Sequence, residues 1–64
     1  MKVTEENWSQ MQGLIRERWG KLSNDDYQII AGKRNRLIGK IQERYNLDRE
    51  EAEKELRNWE SDNK

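Results

Sequence analysis

Four basic side chains are the residues of this sequence best suited to bind another molecule. Residues 33–44 hold five basic residues and one acidic residue, whereas residues 45–64 hold seven acidic and four basic ones. On a helix with about 3.6 residues per turn, four of these basic residues share one face: Lys33, Arg36, Lys40 and Arg44. A row of cations with this spacing can follow the phosphates of a nucleic acid. We call these four residues the basic row.

The basic row has a second interpretation, in which its charges are neutralised inside the molecule. The acidic segment 45–64 has enough carboxylates to pair with it. A dedicated nucleic-acid binder is usually basic as a whole, but this chain has 13 basic and 13 acidic residues and no net charge. Internal pairing with the last helix is therefore the favoured interpretation. Weak contact with nucleic acid, a protein partner or anionic lipid is the alternative, and no particular partner can be identified.

The missing residue types argue against catalysis. The chain has no His and no Cys, which removes the commonest general bases and the thiol nucleophile. Ser23 and Thr4 are better explained as helix caps, and we expect the carboxylates to lie on solvated helix faces. A chain of 64 residues is also too small to enclose a pocket of roughly 300 Å³ or more. We therefore expect no enzyme activity, no catalytic residue and no cofactor.

Two acidic pairs resemble metal ligands only superficially. Asp25–Asp26 and Glu50–Glu51 lack the alternating oxygen ligands and the glycine of a calcium-binding loop. Without His or Cys, the usual zinc spacings are also impossible. Acidic residues in the first turn of a helix are favoured by the helix dipole. The sequence therefore predicts no metal site.

Three helix starts are marked by a polar residue placed between apolar ones. Thr4, Ser23 and Asp48 can each accept a hydrogen bond from a backbone amide of the first helical turn. The residue before each cap and the fourth residue after it form an apolar pair, the hydrophobic staple: Val3 with Trp8, Leu22 with Tyr27, and Leu47 with Ala52. Asp26 and Glu51 follow their caps by three residues, where a carboxylate can bond back to the cap amide.

Helix ends are marked by Gly20, Gly32 and Asn46, residue types that tolerate the left-handed conformation. Together the signals predict an all-α domain, residues 1–64, with four helices near 5–19, 24–31, 33–45 and 49–60. The third helix has no clean cap. The second and third helices can therefore also form one helix that bends near Gly32.

The apolar residues recur every three or four positions, as expected for amphipathic helices around one core. The predicted core residues are Trp8, Met11, Ile15, Trp19, Leu22, Leu37, Ile38, Ile41, Tyr45, Ala52, Leu56 and Trp59. Trp59, near a terminus, is the aromatic residue most suited to an exposed contact. Residues 4–22 also resemble residues 23–41 at an offset of 19, which is either a duplication or coincident helical patterning.

Gly13 and Gly39 point away from the apolar face, where each costs up to about 1 kcal/mol relative to Ala. Either this weakening is tolerated, or a partner or second copy approaches the backbone closely there. We expect a monomer, with a weak dimer through these faces as the alternative. The first residues have no apolar signal-peptide core, and no apolar run approaches the roughly 20 residues that span a bilayer.

Five short motifs stand along the chain: WGKL at 19–22, GKR at 32–34, LIGKIQERY at 37–45, AEKE at 52–55 and WE at 59–60. Together they resemble the CsbD-like family of small bacterial proteins. The resemblance extends from Trp8 to Trp59 and is strongest for enterobacterial members of about this length. It implies accumulation under general stress or in stationary phase, a cytoplasmic location, and a SAM-domain-like fold of two orthogonal helical hairpins. It implies no established activity or catalytic residue, and the family's Gly-Lys repeats have no assigned role.

Overall fold

A computed structural model describes residues 2–62 of the chain and contains four helices. They are α1 (Trp8–Arg18), α2 (Asn24–Ile30), α3 (Arg34–Tyr45) and α4 (Arg49–Asp62). Residues 2–62 include no β-strand. Helix α3 packs against both α2 and α4. The predicted all-α class and the four helices are therefore confirmed.

The first helix starts later than the sequence predicts. Thr4 Oγ1 accepts a bond from the Asn7 amide at 3.3 Å, and Asn7 Oδ1 accepts one from the Thr4 amide at 3.0 Å. This reciprocal pair closes residues 4–7 into a turn, which we call the N-terminal turn. Helix α1 begins only at Trp8. The predicted start at Glu5 is wrong because an Asn side chain that bonds to nearby backbone favours a turn over helix.

The other two caps form as predicted. Ser23 Oγ accepts a bond from the Asp26 amide at 3.2 Å, and Asp26 Oδ2 accepts one from the Ser23 amide at 2.9 Å. These two bonds make a complete capping box at the start of α2. Asp48 Oδ1 accepts a bond from the Glu51 amide at 2.8 Å, which caps α4.

The helix ends agree with the sequence at Asn46 and differ in conformation at Gly20. Asn46 is left-handed, with φ of 56°, and the Leu47 amide bonds to the Gln42 carbonyl at 3.2 Å, as in a Schellman motif. Helix α1 ends at Arg18, one residue before the predicted end, and Trp19 follows with φ of −124° and ψ of 70°. Gly20 is not in the left-handed region. The position of this helix end is therefore confirmed, but Gly20 does not form it in the left-handed conformation because the chain already leaves the helix at Trp19.

A sharp turn at Ala31 and Gly32 separates α2 from α3. Ala31 has φ of 48° and Gly32 has φ of 83°, both in the left-handed half of the map. A Cβ atom on Gly32 would stand 2.6 Å from the Cα of Glu5. Two consecutive left-handed residues cannot continue a right-handed helix. The alternative of a single bent helix is therefore wrong, and Gly32 is where the N-terminal turn contacts the rest of the fold.

One core joins the four helices. The predicted apolar residues are buried in it, with Tyr45 partly buried, and Val3, Tyr27 and Ile30 complete the cluster. Trp59 is 8% exposed, and its ring lies 5.7 Å from that of Trp19. The prediction of Trp59 as a core residue is therefore confirmed, and the alternative of an exposed contact is wrong because α4 brings it against Trp19.

Candidate functional site

The basic row lies along α3, on the side that meets α2 and the N-terminal turn. The adjoining face of α3, about 100° around the helix from the row, carries Leu37, Ile38 and Ile41, each 0% exposed. Lys33 is the N-cap residue, and its side chain makes no capping bond. Because α3 is anchored by this apolar face, the row has a fixed position, and the partners of each cation follow from the packing.

The first two cations of the row make exposed contacts. Lys33 Nζ is 4.0 Å from a carboxylate oxygen of Glu5, and both side chains are more than half exposed. Arg36 Nη1 donates to the Ile29 carbonyl at 3.0 Å. Exposed ion pairs of this kind contribute little to stability. Lys33 and Arg36 are therefore the members of the row most available to an external ligand.

The other two cations converge on one buried carboxylate, that of Asp26. Arg44 donates from Nε to Oδ2 at 2.9 Å and from Nη2 to Oδ1 at 3.0 Å. Lys40 Nζ is 3.6 Å from Oδ1 of Asp26 and 3.1 Å from the carboxylate of Glu43. A two-point arginine–carboxylate bond fixes orientation as well as charge. Asp26 therefore connects the last turns of α3 to the first turn of α2. We call the contacts of Asp26 with Lys40 and Arg44 the Asp26 clamp.

The pKa values of this pair move in opposite directions. The hydrogen bonds from the Arg44 guanidinium, followed by that from the Ser23 amide, hold the pKa of the Asp26 carboxyl far below its usual range despite its burial. The same hydrogen bond to Asp26 raises the pKa of Arg44. Asp26 is therefore ionised throughout the physiological range. It acts here as a structural anion and not as a proton donor.

Internal pairing of the basic row thus involves α2 and the N-terminal turn instead of the last helix. The expected pairing of the row with residues 45–64 is wrong, because the side of α3 that carries the row turns toward α2. The neighbouring Arg34, which lies outside the row, is the α3 cation that reaches α4. It donates from Nη2 to Oε1 of Glu60 at 3.0 Å.

Glu60 is the structural residue that sequence reasoning missed. It is 7% exposed, and its Oε2 accepts a bond from the Val3 amide at 3.0 Å. A signal was present in the sequence, since Glu60 follows the core residue Leu56 by four positions and so shares its helix face. Asp26 precedes the core residue Ile30 by the same spacing. In both cases a carboxylate four positions from a core residue forms a buried ion pair.

Two further properties concern the described part of the chain. Within residues 2–62, no group of three or more His, Cys, Asp or Glu side chains is arranged to hold a metal ion. None of the four helices combines the length and the apolar character required to cross a bilayer.

Comparison with known proteins identifies the family. A family model described as CsbD-like matches residues 2–54. The UPF0337 protein YjbJ of Escherichia coli K12 is 54% identical over 57 residues, which cover 89% of this chain and 83% of that protein. A UPF0337 protein of Pectobacterium atrosepticum is 52% identical over 58 residues, covering 91% and 84%. YjbJ of Salmonella typhimurium is 53% identical over 57 residues, covering 89% and 81%. The chain therefore belongs to the CsbD-like family.

Proposed function

We propose that this chain is a non-enzymatic general stress-response protein of the cytoplasm that protects other macromolecules or serves as a small interaction module. The observation that carries the proposal is the use of its buried charges. Asp26 and Glu60 are both buried, and both are bound to arginines of α3. A carboxylate held in this way has no free role as acid or base. Membership of the CsbD-like family supports the stress-related part.

The protective version rests on the surface. Charged residues make up 41% of the chain, with equal numbers of each sign. Two large hydrophobic residues, Leu14 and Ile29, are exposed within residues 2–62. A surface with few apolar patches offers little area for hydrophobic association. Such a protein can accumulate to high concentration without binding its neighbours tightly, which suits a protective role.

The test is protection of a freeze-labile dehydrogenase through repeated freezing or drying, with the chain at a stoichiometric amount. We expect more residual activity than with an unrelated protein of the same size. An Asp26→Asn variant, weakened at the clamp, distinguishes protection by the folded domain from protection by composition alone. Equal residual activity with the unrelated protein would eliminate the protective version.

Nucleic-acid binding through the basic row ranks second, because Lys40 and Arg44 already bind Asp26. Its test should spare that clamp. Lys33→Glu with Arg36→Glu reverses the two available cations, and Lys54→Glu reverses an exposed cation on another helix as the control. Binding by this row should weaken steeply with salt and be lost only in the double variant. Failure to bind duplex or single strands at about 50 mM salt removes this function.

A further inference from the structure

A groove of about 460 Å³ runs between α1 and α2. The aromatic residues Trp8 and Tyr27 form part of its wall, and their ring centroids lie 6.0 Å apart. Three side-chain amides, those of Gln12, Asn24 and Gln28, also line it. The sequence predicts no enclosed pocket of roughly 300 Å³ or more, but this open groove between two helices reaches the range of roughly 300–1,000 Å³ typical of small-molecule sites. Aromatic surface combined with a few polar groups is the usual lining of such sites.

Arg16 is the one charged residue among those lining this groove. Its guanidinium carbon lies 4.6 Å from the centroid of the Tyr27 ring, and its Nη2 donates to Oδ1 of Asn24. No carboxylate of residues 2–62 forms an ion pair with it. A guanidinium has five N–H donors, so most of them remain unused. Arg16 is thus held in place by a ring and an amide while its charge is uncompensated.

Two other grooves of the described chain differ in this respect. One is lined by Arg18 and Glu55, which form an ion pair with each other. The second is lined by Arg34 and Glu60, which are paired at 3.0 Å, and also by Lys2. The arginine paired in each of these grooves would have to leave its carboxylate in order to bind an incoming anion. In the α1–α2 groove the incoming anion meets Arg16, which is held in place and forms no ion pair with a carboxylate of residues 2–62.

Tyr27, which lines the groove, also carries a polar group without a partner in the described chain. Tyr27 is 3% exposed, and its hydroxyl oxygen is buried without a hydrogen-bond partner in residues 2–62. Burial raises the pKa of this hydroxyl, so it remains a neutral donor. Buried polar groups without a partner are uncommon and costly in native proteins. The hydroxyl is independent of the amide and ring contacts that hold Arg16.

We propose that the α1–α2 groove binds a small amphipathic anion, with its oxyanion on Arg16 and its apolar body against the part of the Trp8 and Tyr27 wall that Arg16 leaves open. Arginine recognises carboxylate and phosphate through two parallel N–H bonds. The amides of Gln12 and Gln28 can bond to polar substituents on the ligand. The oxyanion is a carboxylate or a phosphate, and the two sources are separated by the choice of probe.

The test uses benzoate, phenyl phosphate and neutral benzamide as probes, followed by NMR of the backbone amides and the Arg16 side chain. We expect saturable shifts in α1 and α2 with at least one of the two anions, which identifies the oxyanion. Benzamide should bind at least about tenfold more weakly. Equal binding of benzamide, or no saturable shift at these amides with either anion up to about 10 mM, would overturn the proposal.

The matched variants are Arg16→Gln and Lys54→Gln. Lys54 is exposed, belongs to α4 and lies outside the groove. We expect about tenfold weaker anion binding in Arg16→Gln and unchanged binding in Lys54→Gln. Arg16→Lys, which keeps the charge but loses the planar fork, should fall between Arg16→Gln and the unsubstituted chain and provides a second variant if Arg16→Gln unfolds. Unchanged binding in both Arg16 variants would contradict the proposal.

Discussion

Asp26 of α2 and Glu60 of α4 are the two buried charged residues of the described chain, and they hold opposite ends of the same helix. Asp26 binds Arg44 in the last turn of α3, whereas Glu60 binds Arg34 in its first turn. Each carboxylate therefore positions α3, which packs against both α2 and α4. Their remaining partners differ: Asp26 also binds its own helix cap, Ser23, whereas Glu60 also binds Val3, which is distant in the chain. We call the contacts of Glu60 with Arg34 and Val3 the Glu60 clamp.

Asp26 is part of a capping box whose two members lie three residues apart. The backbone amide of the helix cap, Ser23, donates to the Asp26 carboxylate at 2.9 Å and orients it without any contribution from Arg44. Glu60 instead receives the Val3 amide, 57 residues away in the chain. The Asp26 clamp is thus preorganised by local structure, while the Glu60 clamp exists only after the chain ends meet. We infer that loss of Asp26 weakens the whole domain, whereas loss of Glu60 first frees the N-terminal turn.

The largest effect should come from Asp26→Asn. This change removes the charge that holds Arg44 and weakens the capping box of α2. Breaking a buried, hydrogen-bonded ion pair together with part of a cap should destabilise the fold by about 3 kcal/mol. Denaturant unfolding followed by tryptophan fluorescence measures it. A loss no greater than that of Ser23→Ala, about 1 kcal/mol, would show that the arginine contact adds nothing to the cap.

Acid unfolding provides a second measurement of the same clamp. The folded pKa of Asp26 lies below the value of about 3.9 for an unfolded aspartate. Its stabilising contribution is therefore complete above about pH 5 and is lost as the pH falls below about 4. Asp26→Asn should flatten this part of the stability curve. An unchanged acid limb in the variant would assign the acid sensitivity to other carboxylates.

The next largest effect should be that of Gly32→Ala, which disturbs the contact between Gly32 and the N-terminal turn. An added Cβ would stand 2.6 Å from the Glu5 Cα, and φ of 83° is strained for alanine. We expect a loss of about 2 kcal/mol. Hydrogen exchange should show the amides of residues 3–7 losing protection before those of α3. Uniform loss across the chain would mean that this turn does not open separately.

Glu60→Gln should have a smaller effect than Asp26→Asn, about 1–2 kcal/mol. Glutamine keeps an oxygen for the Val3 amide but loses the charge that binds Arg34. The chain near a terminus can release locally, so part of the loss does not reach the global unfolding energy. Comparison of global stability with protection at the Val3 amide measures both parts. A global loss equal to that of Asp26→Asn would show that the two clamps are equivalent.

The smallest effects, and of opposite sign, should come from Gly13→Ala and Gly39→Ala. A Cβ at either position would have no neighbour within 4 Å. Each variant should gain about 0.5–1 kcal/mol from helix propensity alone. Sedimentation at several concentrations tests the alternative that these glycines face a second copy. If the chain forms a dimer and Gly13→Ala or Gly39→Ala dissociates it, these glycines serve a dimer interface and are not merely tolerated weak points of their helices.

The two clamps also show how far sequence reasoning reaches in this chain. The Ser23–Asp26 capping box was predictable because both partners lie within four consecutive residues. The bond between Arg44 and Asp26 was not, because periodicity places a cation on a helix face without saying which neighbour that face meets. The predicted start of α1 at Glu5 is wrong for a related reason. The staple of Val3 and Trp8 favours a helix from Glu5, but the Asn7 side chain closes a turn before Trp8.

Local sequence determined the helix type, the helix ends next to Ser23, Gly32, Asn46 and Asp48, and the apolar core of this protein. These features depend on side chains and backbone groups within about one helical turn of each other. Tertiary structure decided which carboxylates are buried, that the basic row meets α2 and not α4, and that Arg16 stands in a groove without a carboxylate. Those outcomes depend on how amphipathic helices rotate and pack, which periodicity alone leaves open.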